Sequence, residues 1–148
     1  MMAGYNDLIS RIGKLKENVA VFRKVVLHCH SFQSRDGKTT EQEFQDCMKD
    51  SSIDLIAITD HMRCGFACDF SNSKYPSDKC VLPGIEINLR PPSPWKFRLH
   101  VLVIFPEKYS IEQIWKIMPP SIPAEKTCTG QEEINIELSD FVKIIHDN

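Results

Sequence analysis

Four short apolar runs in this chain are interrupted or closed by an imidazole or a carboxylate. Val25-Val26-Leu27 leads into His28-Cys29-His30, and Ile53 to Thr59 (IDLIAIT) ends at Asp60-His61. Glu86 sits between Ile85 and Ile87, and His100 lies inside Phe97 to Phe105 (FRLHVLVIF). Runs of this length and make-up read as buried β-strands. A charged group inside such a strand is costly unless it is paired or bound to a metal. The fold must therefore bring these groups together or leave each of them at a solvated edge.

Strand alternation says more. His28 and His30 fall on one face with Cys29 on the other, so two imidazoles can chelate one ion. Taken alone, the pair reads more readily as two ordinary half-buried histidines. Asp60 and His61 close an apolar strand at the rim where α/β folds build their sites, although Asp60 also suits a simple turn. Glu86 points to the layer opposite Ile85 and Ile87, where its two oxygens could bridge two cations; an exposed edge strand is the plain alternative. His100 shares a face with Arg98, Leu102 and Ile104. Imidazoles with carboxylates suit Zn, Mn or Fe better than Ca or Mg.

The rest of the chain supplies helices between these strands. Leu8, Ile9, Ile12, Leu15 and Val19 are spaced for an amphipathic helix within residues 1–22, ahead of a domain over 23–148. Thr40…Glu43 and Ser110…Gln113 are capping boxes that open two more helices, and a last helix fits Ser139 to His146. Arg63 to Lys79 reads as a turn-rich loop, Cys80 to Ile87 as a strand broken near Pro83-Gly84, and Pro119 to Gly130 as a loop. The element order implies an α/β fold with mostly parallel strands.

Composition narrows the class. The chain has 148 residues, 42% hydrophobic and 26% charged, with a net charge of −2. That is enough for one domain with a core that needs no disulfide. A net negative charge argues against a broadly basic nucleic-acid coat. No apolar run reaches membrane-spanning length and the N-terminus has no secretory h-region. The six cysteines are therefore expected to be free thiols in the cytoplasm, with a zinc site at Cys64, Cys68 and Cys80 as a weak alternative.

The ordered set His28-x-His30, Thr59-Asp60-His61, Gly84-Ile85-Glu86 and His100 resembles the PHP (polymerase and histidinol phosphatase) family. His30-Ser31 through Asp36-Gly37 and Thr40-x-x-Glu43 resembles that family's first motif. The resemblance covers roughly Val25 to Phe105. It implies a (β/α)7 TIM-like barrel, here incomplete, with up to three divalent metals at the strand C-termini and phosphoester hydrolysis as the reaction. It also implies ligand roles: His28 and His30 on a first metal, Glu86 bridging to a second that His100 binds, and Asp36 with His61 on a third. Asp60 would orient a ligand or take a proton from water, and Arg63 would contact phosphate, with Arg90, Lys96 and Arg98 as further cations. Arg35 separates Ser34 from Asp36, where the family writes Ser-Asp-Gly. The family's later His and its closing Asp-x-His are absent, so the chain reads as the N-terminal part of a longer protein, with His146 a remote substitute ligand. The expected substrate is a phosphorylated small molecule or nucleotide. A nuclease-type domain that stacks a base on Trp95, and a non-catalytic module, are the competing readings.

Overall fold

The computed structural model describes residues 23–50, 52–73, 75–76, 78–90, 94, 97–122 and 132–147. The expected helix of residues 1–22, and Trp95, Lys96 and Cys128, lie outside the described residues. Strands β1 (Val25–Cys29), β2 (Leu55–Ile58), β3 (Cys80–Leu89) and β4 (Leu99–Ile104) form one sheet in the order β1-β2-β3-β4. Helix α1 (Glu41–Asp50) joins β1 to β2, and α2 (Gly65–Ser71) joins β2 to β3. Helices α3 (Ile111–Ile117) and α4 (Leu138–His146) follow β4. No helix among the described residues is long and apolar enough to cross a membrane.

The expected incomplete (β/α)7 barrel does not form. β1, β2 and β3 are parallel, but β3 and β4 pair antiparallel, from Gly84↔Ile104 to Leu89↔Leu99. The reason is connection length. A parallel return needs a crossover of about a dozen residues or more, and the proline-rich stretch between Leu89 and Leu99 is shorter than that. The result is a small, curled, mixed sheet, a half-barrel.

Pro83-Gly84 is where the sheet turns its partners over. Cys80 to Pro83 pair with β2, and Gly84 to Leu89 pair with β4. The strand therefore runs unbroken through the expected interruption. Pro83 cannot donate to a ladder, but its carbonyl still accepts from the Phe105 amide at 2.9 Å. A Cβ on Gly84 would stand 2.8 Å from Thr59 Cγ2 and 3.1 Å from the Val103 carbonyl oxygen. Only glycine lets the three strands approach this closely.

Two apolar clusters hold the elements. Phe44 and Met48 of α1 pack with Ile56, Ile58, Phe66, Phe70 and Val81. Ile85, Ile87 and Leu89 of β3 pack with Val103, Ile114 and Phe141. Helix α2 serves both, with Phe66, Ala67 and Phe70 in the first cluster and Cys68 in the second. This helix replaces part of the turn-rich loop expected over residues 63–79. It is only seven residues long, opens on glycine and is followed by Asn72-Ser73, so its sequence is dominated by turn-forming residues. Tertiary burial of these four side chains overrides that local preference.

β1 holds a second irregularity. Val26 pairs with Ile56 and Cys29 with Ile58, so β1 spends one residue more than β2 between the same two rungs. This extra residue resets the alternation. Val26 and Cys29 both pack on the α1 cluster, while Val25 and Leu27 stay about half exposed.

Candidate metal centre

Glu86 is the centre of the site. Its residue is 1% exposed, and its main chain is pinned on both flanks. Its amide donates to the Asp60 carbonyl at 3.1 Å and its carbonyl accepts from the Met62 amide at 2.9 Å; on the other side it lies opposite Leu102. Ile85 and Ile87 enter the apolar cluster, so Glu86 turns to the other face, as alternation requires.

Four imidazoles surround that carboxylate. His28 Nε2 and His30 Nε2 lie 2.9 and 2.7 Å from Oε2, and 3.1 Å from each other. His61 Nε2 is 3.6 Å from the same oxygen. His100 Nδ1 contacts Oε1. Asp36 closes the rim: its Oδ1 is 2.9 Å from His30 Nδ1, and its Oδ2 is 3.5 Å from His61 Nε2. All six metal-ligand candidates read from the sequence therefore converge. His28, His30, His61 and His100 come from three different strands or strand ends, and the antiparallel direction of β4 is what puts His100, near its start, at the same rim as the ends of β1 and β2.

The supporting residues are local. Asp36 sits on a loop closed by a bridge between Ser31 and Thr39. A Cβ on Gly37 would fall 1.8 Å from the Ser31 carbonyl oxygen, so the loop can close only with glycine there. Ser34 Oγ accepts from the His61 amide at 2.8 Å. Met62 follows His61 with φ 54°, a left-handed conformation that costs a non-glycine residue about 1–3 kcal/mol. Burial of its side chain in the apolar cluster holds it there and leaves His61 on the polar side.

Asp60 is expected to orient a ligand or take a proton from water. It is fully buried, and its carboxylate accepts from the Ser31 amide at 2.6 Å and from the Ser31 hydroxyl. It ties the end of β2 to the start of the Asp36 loop and so acts as a positioning residue. Arg63 is half-buried, one turn beyond His61, with its amide on the Asp60 carbonyl. Arg98, expected as a further phosphate contact, is paired with Glu133 at 2.7 Å. His146 is exposed on α4 beside Asp147 and joins no ligand group. Cys64 and Cys68 are buried in the core and form no disulfide, and no cysteine belongs to a ligand group among the described residues. The sequence did not single out Ser31 and Ser34 as supports; hydroxyls in a loop carry no pattern that marks them.

The electrostatics favour a bound cation. Burial pushes Glu86 toward protonation, but the His28 hydrogen bond, the nearby His61, and the His30 and His100 contacts outweigh it and hold the carboxyl below its ordinary range. Asp36 is likewise held low, its slight burial outweighed by the His30 hydrogen bond and charge. Three groups of donor atoms gather within 4.8 Å: His28, His30 and Glu86; His30, Asp36 and His61; and His61, Glu86 and His100. His28 and His30 bring their Nε2 atoms face to face, so one must donate where both have lone pairs to offer. His61 Nε2 stands too far from both carboxylates for a good hydrogen bond, and its buried Nδ1 has no partner among the described residues. Gaps of 3.5–3.6 Å are close to the separation of two ligands across a cation bound at about 2.0–2.2 Å. These side chains can hold a metal ion.

No family model matches the chain, and no curated protein matches it.

Proposed function

We propose that the chain is a metal-dependent phosphoesterase domain of the PHP kind, using Zn, Mn or Fe in up to three sites. The observation that carries this reading is Glu86: one fully buried carboxylate met by four imidazoles, with a second carboxylate across His30. A mixed imidazole and carboxylate donor set selects these metals, and ligand groups that share His30, His61 and Glu86 suit clustered cations.

Each residue has a task. His28 and His30 with Glu86, His30 and His61 with Asp36, and His61 and His100 with Glu86 form the three ligand groups. Ser34 fixes the His61 backbone, and Asp60 fixes Ser31 at the root of the Asp36 loop. Bound cations supply a water of lowered pKa and offset charge on the phosphoryl oxygens. Hydrolysis forms a P–O bond from that water and breaks the ester P–O bond; the alcohol leaves with a proton and inorganic phosphate is released. Because the ligands are held on strand ends and one closed loop, little reorganisation accompanies the reaction.

The test is elemental analysis with turnover of p-nitrophenyl phosphate and of a single-stranded oligonucleotide, in added Mn or Zn. Metal-dependent hydrolysis of the ester, abolished by H28A with H30A, is the expected result. Oligonucleotide cleavage without ester hydrolysis moves the substrate to nucleic acid. Bound metal with no turnover of either makes this a binding module, and absence of bound metal overturns the reading.

A further inference from the structure

Two buried side-chain atoms among the described residues have no hydrogen-bond partner, His61 Nδ1 and Asn88 Oδ1. They are complementary. A neutral imidazole that offers its Nε2 lone pair to a cation carries its proton on Nδ1 and has to donate it, and an amide oxygen only accepts. His61 Nε2 lies 3.5 Å from an Asp36 oxygen and 3.6 Å from a Glu86 oxygen, so Nδ1 is the nitrogen left over. The neighbouring carboxylate, Asp60, already takes the amide and the hydroxyl of Ser31.

The sheet brings the two atoms to one face. Ile87 and Leu89 enter the apolar cluster, so Asn88 shares the opposite face with Glu86. Asn88 stands across the ladder from His100, where facing Cβ atoms are about 4.5–5.5 Å apart. On the other flank of β3, His61 is bridged to Glu86, and its ring centroid is 5.5 Å from that of His100. Asn88 and His61 are therefore diagonal neighbours, about 8 Å apart from the spacing between strands and along one. An Asn and a His can span that gap. The Asn88 backbone is held by its carbonyl, which accepts from the Ile134 amide at 2.8 Å, and the residue is 3% exposed. Its last torsion is broad, so the amide can turn its oxygen without moving the strand.

We propose that Asn88 is a positioning residue of the metal centre: with a cation on His61 Nε2, Asn88 Oδ1 accepts the Nδ1 proton. The inference rests on the metal-binding part of the proposed function and adds a residue that reading does not use. Metal-bound imidazoles nearly always donate their second nitrogen to such an acceptor, which fixes tautomer and ring orientation. His61 needs this most, because it serves both the Asp36 group and the His100 group.

The test uses the full chain with isotope-labelled histidine, titrated with zinc. In the wild type, long-range nitrogen–proton correlation should place the His61 proton on Nδ1 and zinc on Nε2, with the proton slow to exchange with water. N88L puts an apolar group of similar size in place of the amide. There the Nδ1 proton should exchange measurably faster. Zinc at His61, followed through the Nε2 shift against a competing chelator, should bind about 10–100-fold more weakly. N88D keeps an oxygen at the same point and should hold zinc to within about 3-fold of wild type. Metal-free N88L should melt no lower than wild type, since it removes an unpaired buried amide; a purely structural role would lower it. Unchanged zinc affinity with an unchanged Nδ1 proton in N88L overturns the role of Asn88 and leaves the metal centre standing. A His61 proton on Nε2 in the zinc-loaded wild type also overturns it. A wild type that takes up no zinc overturns both.

Discussion

A single carboxylate decides the chemistry available to this chain. Glu86 belongs to all but one of the ligand groups, as do His30 and His61, and it is the one carboxylate of these three. Glu86→Gln keeps the volume and removes the charge. It should lower metal affinity by more than about 100-fold, beyond what loss of a supporting residue typically costs. Elemental analysis after dialysis checks this, with His146→Ala as a control that retains full metal content. Much of this was readable in the sequence. Glu86 stood out because its neighbours Ile85 and Ile87 commit the strand to an apolar layer, and His28 and His30 because two positions apart on a strand means one face. The role of Asp60 was not readable. An Asp beside a His at a strand end looks the same in sequence whether its carboxylate faces a cavity or, as here, takes both polar groups of Ser31.

At the scale of elements, short capping contacts set where helices begin. Thr40 and Glu43 form a reciprocal pair at the start of α1: the Thr40 amide donates to Glu43 Oε2 at 2.7 Å, and the Glu43 amide to Thr40 Oγ1 at 3.3 Å. Thr40→Ala should cost about 1 kcal/mol, measured by urea unfolding. The Thr40 amide, and then its hydroxyl, hold the Glu43 carboxyl below its ordinary range. The Lys24 amide does the same for Asp54, outweighing slight desolvation and helped by Arg23. Because both folded-state values are depressed, their stabilisation is complete above the unfolded carboxylate values of about 4. It is lost as pH falls through the lower folded values. E43Q should therefore reduce the loss of stability between pH 5 and pH 3, a comparison made by denaturant titration at each pH.

The capping boxes were legible because side chain and backbone satisfy each other within one turn. The α3 box is present as read, with Ser110 Oγ accepting from Gln113 and Gln113 Oε1 accepting from Ser110. Helix α2 was not legible. Its seven residues hold too few turns for a periodic stripe, and both its ends carry loop-forming residues. The direction of β4 was hidden for another reason. Strand hydrophobicity is the same forwards and backwards, and only the length of the 90–98 connection carries the sign.

Considered whole, the molecule is an open sheet whose polar rim gathers four imidazoles around two carboxylates. A cation that binds the folded chain and not the unfolded one stabilises by mass action. That is about 2.7 kcal/mol at a hundredfold excess over Kd. For a domain of this size it corresponds to a rise in Tm of about 5–10 °C. Thermal scans with Zn or Mn should show the shift, EDTA should reverse it, and Glu86→Gln should not show it. A wild-type Tm indifferent to both metals and to chelator would count against the cluster as a metal centre.

The supernumerary residue of β1 gives the strand a spare beat. Val26 and Cys29 keep their rungs opposite Ile56 and Ile58 whether one or two residues lie between them. Excising half-exposed Leu27 would thus regularise the ladder and leave both imidazoles aimed at Glu86. Excising Cys29 would remove the rung itself and throw His28 and His30 onto opposite sides. The shortened chain without Leu27 should still take up metal, and the one without Cys29 should not.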